Sequence, residues 1–262
     1  MVHYLDCQYI ANITNGVTRG RIRKKTDLLG FAGPILMLLN GSNAEDDLIF
    51  SRMLKKTAKD VGIKVFDAYT QSDIDSVVSG ERVIDGYVSL SGAGLNIPYD
   101  CDRSLAIDGG FGTPYEKAVV EAAMMIFDRR IVSTDGDAIL IIGRSDSIGK
   151  VIARRLLGID KTVIVAHSKT GSQRLKSLID VADVVVSTAP YGTKFPGDLL
   201  HGGQILIDIG NNFDLSYWEN LPIDAESIAT TPKVGGIGVI TRAIIMERVA
   251  TNYEERILKE LN

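Results

Sequence analysis

The sequence predicts an α/β protein built of two α/β domains, the second of them a doubly wound parallel sheet. Three observations predict it. Apolar runs of strand length alternate with longer stretches of helical spacing, a pattern that builds parallel sheets covered by helices. One of those runs, AILII at residues 138–142, passes directly into a glycine-bounded turn and then a helix. The chain has 262 residues, of which 45% are hydrophobic and 24% charged, enough for two cores of ordinary size.

Residues 34–40 (PILMLLN) read as a buried strand, and 44–61 have helical spacing with Leu48, Phe50, Leu54 and Ala58 as the inward face. Residues 64–68 and 85–90 are further strands, with a short helix over 72–78 between them and right-handed crossovers expected. Thr113-Pro114 opens a helix, Thr at the cap and Pro in the first turn, that runs to about Phe127. A second series then begins, with strands at 138–142, 162–166, 184–187 and 205–209 and helices at 147–157 and 171–179. The last helix spans 239–261, with Ile240, Ile244, Val249, Ile257 and Leu261 as an apolar face that Tyr253 and Glu254 interrupt. Lying beyond the last strand, it is expected to cross back. The expected domains are therefore 1–127 joined by 240–262, and 128–239.

A net charge of −4 argues against a nucleic-acid partner. Arg19, Arg21, Arg23, Lys24 and Lys25 cluster and read as a solvated helix face. No run approaches the roughly 18 apolar residues of a membrane span. The start, Met1-Val2-His3-Tyr4-Leu5-Asp6, has no basic leader before an apolar run. Two cysteines, Cys7 and Cys101, make no disulfide framework and no metal-ligand spacing. The cytoplasm is the expected compartment, and no metal is expected.

The turn after the fourth expected strand is Gly143-Arg144-Ser145-Asp146-Ser147-Ile148-Gly149-Lys150. A strand-turn-helix unit points unpaired N–H groups and a positive helix end at a pyrophosphate. The spacing is G-x5-G, not G-x-G-x-x-G, so a plain strand-to-helix turn stays open as an alternative. The next strand ends Val165-Ala166-His167-Ser168-Lys169-Thr170, with no carboxylate to accept from a ribose 2′-hydroxyl. Hydroxyl, imidazole and ammonium groups there, with Arg144 in the facing turn, suit a 2′-phosphate. The expected cofactor is NADP, in a Rossmann-type domain.

These residues resemble the bifunctional methylenetetrahydrofolate dehydrogenase/cyclohydrolases. Gly143 to Lys150 matches that family's Gly-Arg-Ser-x-x-(Val/Ile)-Gly-Lys turn, and His167, Ser168 and Thr170 its His-Ser-x-Thr strand end. Phe195-Pro196-Gly197-Asp198, Ile207-Asp208-Ile209-Gly210-Asn211-Asn212 and the stretch from Thr231 to Thr241 resemble three further segments in the same order. The resemblance implies a cofactor held by Gly143, Arg144, Ser145, Ile148, Gly149, His167, Ser168, Thr170, Thr188, Asn211, Gly235, Gly236 and Thr241. It also implies a tetrahydrofolate derivative as substrate and a homodimer joined through the cofactor domain.

The family's Tyr-x-x-x-Lys pair falls on Phe50 and Leu54 when Gly62 is the anchor, and on Ile49 and Met53 when Gly41 is. Neither register supplies an acid or base, and Lys55 and Lys56 read as solvated. The family's Gln-x-Pro-x-Pro stretch becomes Ser89-Leu90-Ser91-Gly92-Ala93, and about twenty residues around its Asp-Val-Asp-Gly-Phe segment are missing. Asp108, before Gly109 and Gly110, is the surviving candidate to grip a pterin ring, or else a turn aspartate. Hydride transfer needs positioning rather than a protein acid or base, whereas ring opening by water needs managed proton transfer. The expectation is a dehydrogenase whose cyclohydrolase activity is lost or weak. A different small substrate and a non-catalytic NADP-binding relative stay open as alternatives.

Overall fold

In a computed structural model of the chain, the described residues are 1–40, 45–90, 95, 97, 102–109, 113–128, 137–222 and 226–261. Gly41, Ala44, Ser91, Gly92, Ala93, Cys101 and Gly110, on which parts of the sequence reading fall, lie outside them. The chain divides into two compact units, one of Met1–Ile10 with Val119–Ile240 and one of Ala11–Ala118 with Thr241–Asn262. The division at 118/119 precedes the boundary expected from the sequence, and the first ten residues fall in the other unit.

The chain opens with β1 (Val2–Tyr4) and α1 (Cys7–Leu29), followed by β2 (Ile35–Leu39), α2 (Glu45–Val61), β3 (Lys64–Ala68), α3 (Gln71–Val78) and β4 (Gly86–Ser89). β2 is the centre of a parallel sheet ordered β3-β2-β4, which explains its unbroken apolar run: a central parallel strand is covered on both faces. Met37, Leu39, Ala68, Ile74 and Ile84 form a core there. α3 begins on a reciprocal cap: Thr70 Oγ1 accepts from the Asp73 N–H while the Asp73 carboxylate accepts from the Thr70 N–H.

On α2 the buried stripe is Ser51, Leu54, Ala58 and Val61. Leu48, expected on it, is 50% exposed, because six residues before Leu54 is about a third of a turn off that stripe. The basic cluster on α1 is not wholly solvated. Arg19 Nε donates to the Asp60 carbonyl, and Arg21 forms a 2.7 Å ion pair with Glu254.

α4 (Ala118–Asp128) starts four residues later than the Thr113 cap and Pro114 predict. The intervening backbone is bonded elsewhere: Thr113 Oγ1 donates to the Tyr115 carbonyl, an Arg248 N–H to the Glu116 carbonyl, and the Ala118 N–H to the Asp108 carbonyl. Then come β5 (Ala138–Ile142), α5 (Gly149–Leu157), β6 (Thr162–Ala166), α6 (Ser172–Asp180), β7 (Val184–Ser187), β8 (Phe195–Pro196), β9 (Ile205–Asp208), β10 (Phe213–Asp214), α7 (Ser216–Glu219), β11 (Ile228–Thr230) and α8 (Ile237–Leu261).

The larger sheet is ordered β1-β11-β9-β7-β5-β6, and every pairing in it is parallel. β1 extends its edge, Val2 opposite Ile228. This pairing places the first ten residues in the six-stranded unit. From β5 the chain goes to β6 on one side and then to β7 on the other, so the β5/β7 boundary is a topological switch point with a crevice outside the carboxyl ends of the strands. On α8, Ile240, Ile244, Val249 and Ile257 are buried as expected. Tyr253, expected to break that face, is also fully buried, and Leu261 is 63% exposed where the helix outruns its core. Among the described residues no helix is long and apolar enough to cross a membrane.

Candidate functional site

β5 enters the turn at Gly143, whose φ of +131° excludes other residues without strain. A side chain on Gly149 would begin 2.8 Å from the Gly143 carbonyl carbon and 3.0 Å from Thr188 Oγ1. Thr188 Oγ1 itself donates to the Ile142 carbonyl at 3.3 Å. The two glycines of G-x5-G thus let the end of β5, the start of α5 and Thr188 meet at contact distance. Ser145 ties the turn to the helix: its Oγ accepts from the Gly149 N–H at 3.3 Å and its carbonyl from the Lys150 N–H at 3.0 Å. The N–H groups of Arg144, Ser145, Asp146 and Ser147 find no acceptor among the described residues. Unpaired donors ahead of a helix N-terminus form an anion cradle. Lys150 is occupied by Asp146 at 2.6 Å, and this ammonium holds the Asp146 carboxyl below the usual carboxylate range.

At the switch point a groove of about 490 Å³ is lined by Gly143, Arg144, Ser145, His167, Ser168, Thr170 and Thr188, with Ile142, Leu175 and Phe195 among its apolar lining. No carboxylate is among its lining residues. His167 and Thr170 close a tight turn, the His167 N–H donating to Thr170 Oγ1 at 3.1 Å and the Thr170 N–H to the His167 carbonyl at 2.7 Å. His167 Nδ1 accepts from the Lys169 N–H at 3.1 Å, which leaves Nε2 as the donor of the neutral ring.

The other expected cofactor residues are placed differently. Gly149 packs behind the groove, and Ile148 is the N-cap of α5. Asn211, at φ +51°, lines a separate cavity of about 530 Å³ with Lys194, Asp208 and Lys233 among its walls, and its carbonyl accepts from Lys194 Nζ at 2.7 Å. Gly235 and Gly236 form the turn before α8 and line neither cavity, while Thr241 is buried in the first turns of α8 and belongs to the other unit.

The sequence reading missed Asn212, the fully buried neighbour of Asn211. Its Oδ1 accepts from Ser187 Oγ at 2.7 Å, and its Nδ2 donates to the Pro190 and Thr193 carbonyls at 3.2 and 3.0 Å. It therefore pins the loop whose residues Ala189, Pro190 and Thr193 form one groove wall. Asp208 in turn accepts from the N–H groups of Asn212 and Phe213, each at 2.9 Å. Burial pushes its carboxyl above the ordinary value.

In the three-stranded unit Leu54 is wholly buried and Phe50 half-buried, whereas Ile49 and Met53 are 48% and 36% exposed. Lys55, expected to be solvated, pairs with Asp67 at 2.7 Å, and Asn40 Nδ2 donates to the same carboxylate oxygen at 2.6 Å. Asp108 forms a 2.7 Å ion pair with Lys117, a residue the sequence reading did not single out. Cys7 is buried, and burial pushes its thiol up to about 11, so it offers no thiolate near neutrality. The arrangement can hold an anionic dinucleotide on backbone N–H groups, hydroxyls and the Arg144 guanidinium, and it sets no ionisable group at 50 or 54.

The family model for the tetrahydrofolate dehydrogenase/cyclohydrolase, NAD(P)-binding domain matches residues 117–257. The bifunctional protein FolD of Thermotoga petrophila is 30% identical over 245 residues, covering 89% of this chain and 82% of its own length. That of Nocardia farcinica is 28% identical over 252 residues, covering 89% and 80%. Two solved structures share the fold over 98% of the chain. A 5,10-methylenetetrahydrofolate dehydrogenase from the silkworm Bombyx mori has a TM-score of 0.74 at 22% identity and is itself covered over 99%. The Trypanosoma brucei methylenetetrahydrofolate dehydrogenase-cyclohydrolase, complexed with NADP and an inhibitor, has a TM-score of 0.73 at 19% identity and is covered over 98%. With more than half of its length matched by the family model, and with a 30% identical relative aligned over most of both chains, the chain belongs to the tetrahydrofolate dehydrogenase/cyclohydrolase family.

Proposed function

We propose that the chain is an NADP-dependent methylenetetrahydrofolate dehydrogenase of one-carbon metabolism whose cyclohydrolase activity is lost or weak. The observation that carries the reading is the cradle between Gly143, Gly149 and Thr188, opening on a groove with no carboxylate among its lining residues. Its donors suit a cofactor that brings a pyrophosphate and a 2′-phosphate. The trypanosomal relative, whose structure holds NADP, supports the choice.

When bound, NADP supplies the hydride acceptor. The chain's own residues do the rest by binding and exclusion. The N–H groups of Arg144 to Ser147 take the pyrophosphate. Arg144, Ser168 and the His167 ring take the terminal phosphate. The unit of Met1–Ile10 with Val119–Ile240 serves as the cofactor domain, and that of Ala11–Ala118 with Thr241–Asn262 supplies the folate side. Oxidation of the bridging carbon leaves a cation that needs a tolerant surface and no proton acceptor. Its hydrolysis does need one, and the family's lysine position holds Leu54, an apolar side chain with no exposed surface.

The test is the initial rate of NADPH formation from methylenetetrahydrofolate, with NAD in parallel, followed by the rate of formyl-tetrahydrofolate production from methenyltetrahydrofolate. Turnover with NADP, together with hydrolysis at the rate of buffer alone, is expected. Hydrolysis well above that rate would sink the cyclohydrolase half of the proposal. Failure to oxidise the folate, in protein that binds NADP, would transfer the site to another substrate or to a non-catalytic role.

A further inference from the structure

Arg242 stands near the start of α8, in the unit of Ala11–Ala118 with Thr241–Asn262. The residue is 9% exposed, and its Nε is sealed from solvent with no acceptor. Among the described residues no hydrogen bond or ion pair reaches any part of its guanidinium. Burial pulls the group below the ordinary arginine value, and no carboxylate among the described residues acts against that. The other arginines of this helix are provided for. Arg248 donates to the Ile107 and Glu116 carbonyls, and Arg256 pairs with Asp85 and Glu260. A guanidinium stays charged in a protein, and a buried charge without a counter-ion is costly.

Its place on the helix adds to the imbalance. Arg242 is the sixth residue of a 25-residue helix whose first turn carries no acidic side chain. A cation within two turns of a helix start works against the dipole instead of complementing it. Long helical side chains lean back toward the start of their helix. One turn back stands Gly238, exposed and with no side chain to occupy that space. The guanidinium is thus directed at the open first turn of α8, where the dipole already favours an anion. Two positive elements converge there, and the described residues supply no negative one.

In the reaction proposed above, the phosphates of NADP already have donors at residues 144–147, 167 and 168. The other anion is the folate, whose glutamate carries two carboxylates. A guanidinium grips a carboxylate through two parallel N–H groups. We propose that Arg242 is the receptor for a glutamate carboxylate of the substrate, forming a buried ion pair that is complete only when the substrate is bound. The inference rests on the folate reading and adds to it the residue that selects a negatively charged tail.

The measurement is equilibrium binding by calorimetry of tetrahydrofolate and of its diamide, in which both carboxyl groups are neutral. NADP is titrated into the same samples. Wild-type protein is expected to bind the acid about tenfold or more tightly than the diamide, as for one charged hydrogen-bonded pair. Arg242→Met is expected to lose that preference and keep the diamide affinity, and Arg242→Lys to retain part of it. All three proteins are expected to bind NADP alike. The ligand-free unfolding midpoint of Arg242→Met is expected at or above that of wild type, because an apolar chain of similar length replaces an unpaired buried charge. A midpoint lowered by more than about 5 °C would mean that the chain itself neutralises Arg242, and the inference falls. It falls too if Arg242→Met keeps the preference, or loses NADP affinity instead. The folate reading survives each of these as long as wild-type protein turns over methylenetetrahydrofolate. Wild-type protein that binds NADP and neither pterin overturns the inference and the folate reading together.

Discussion

Gly149 is held against atoms that cannot swing away. A methyl group there would begin 2.8 Å from the Gly143 carbonyl carbon and 3.0 Å from Thr188 Oγ1, and the first is main chain. Gly149→Ala is expected to push α5 off the end of β5 at a cost of about 1–3 kcal/mol. The N–H groups that face the phosphates move with the turn, so NADP affinity is expected to fall about tenfold, the worth of one charge-assisted hydrogen bond. Calorimetric titration of the variant checks this, and wild-type affinity would contradict the cradle. The two glycines were legible because a strand, a turn and a helix are adjacent in sequence. Asn212 and Lys117 were not. Their value depends on which distant loops meet: Asn212 joins Ser187, Pro190 and Thr193, and Lys117 reaches back to Asp108. Neither has a spacing that announces it.

Along α8 the polar residues are as ordered as the apolar ones. Arg248, Asn252 and Arg256 repeat at four-residue spacing and form a ladder of bonds to loops. Arg248 holds the Ile107 and Glu116 carbonyls. Asn252 Nδ2 donates to the Asp85 and Ser104 carbonyls at 3.0 and 2.9 Å while its Oδ1 accepts from the Tyr115 hydroxyl at 3.0 Å. Arg256 pairs with the Asp85 carboxylate at 2.9 Å. Asn252 is 8% exposed, so Asn252→Leu would take the Asn252 bond away from three polar groups and put an apolar side chain in place of a bonded amide. A loss of about 2–4 kcal/mol is expected, measured by urea unfolding. A loss below about 1 kcal/mol would mean that water restores the bonds. The apolar stripe of this helix was read correctly at Ile240, Ile244, Val249 and Ile257, but Tyr253 was taken for an interruption. It is fully buried, with the Arg256 guanidinium 5.4 Å from its ring centroid. Helical spacing tells which positions share a face, and it does not tell whether an aromatic there is covered by an arginine. The late start of α4 has the same origin, since its early carbonyls and N–H groups are taken by partners from elsewhere in the chain.

At the scale of the molecule, the units interleave in sequence, dividing at 10/11, 118/119 and 240/241. Thr241–Asn262 fall in the same unit as Ala11–Ala118. The placement of β1 was not legible in the sequence, because three residues carry no periodicity and pair with β11 only once the sheet exists. The strand order of the larger sheet places the groove at the β5/β7 switch point. A ligand that binds only the folded form stabilises it by about 2.7 kcal/mol at a hundred times its dissociation constant. For a chain of this size that corresponds to a rise of about 5–10 °C in unfolding midpoint. NADP is expected to produce this rise, and NAD at the same concentration a smaller one, because the end of β6 offers His167, Ser168, Lys169 and Thr170 and no carboxylate. Ser168→Asp puts a carboxylate at that turn, where it repels a 2′-phosphate and accepts from a 2′-hydroxyl. The variant is expected to reverse the order of the two midpoint shifts with its ligand-free midpoint within about 1 °C of wild type, since Ser168 is exposed. An unchanged order in thermal unfolding would show that the adenosine ribose does not lie over this turn, and the choice between NADP and NAD would then have to be made by groups other than those at the end of β6.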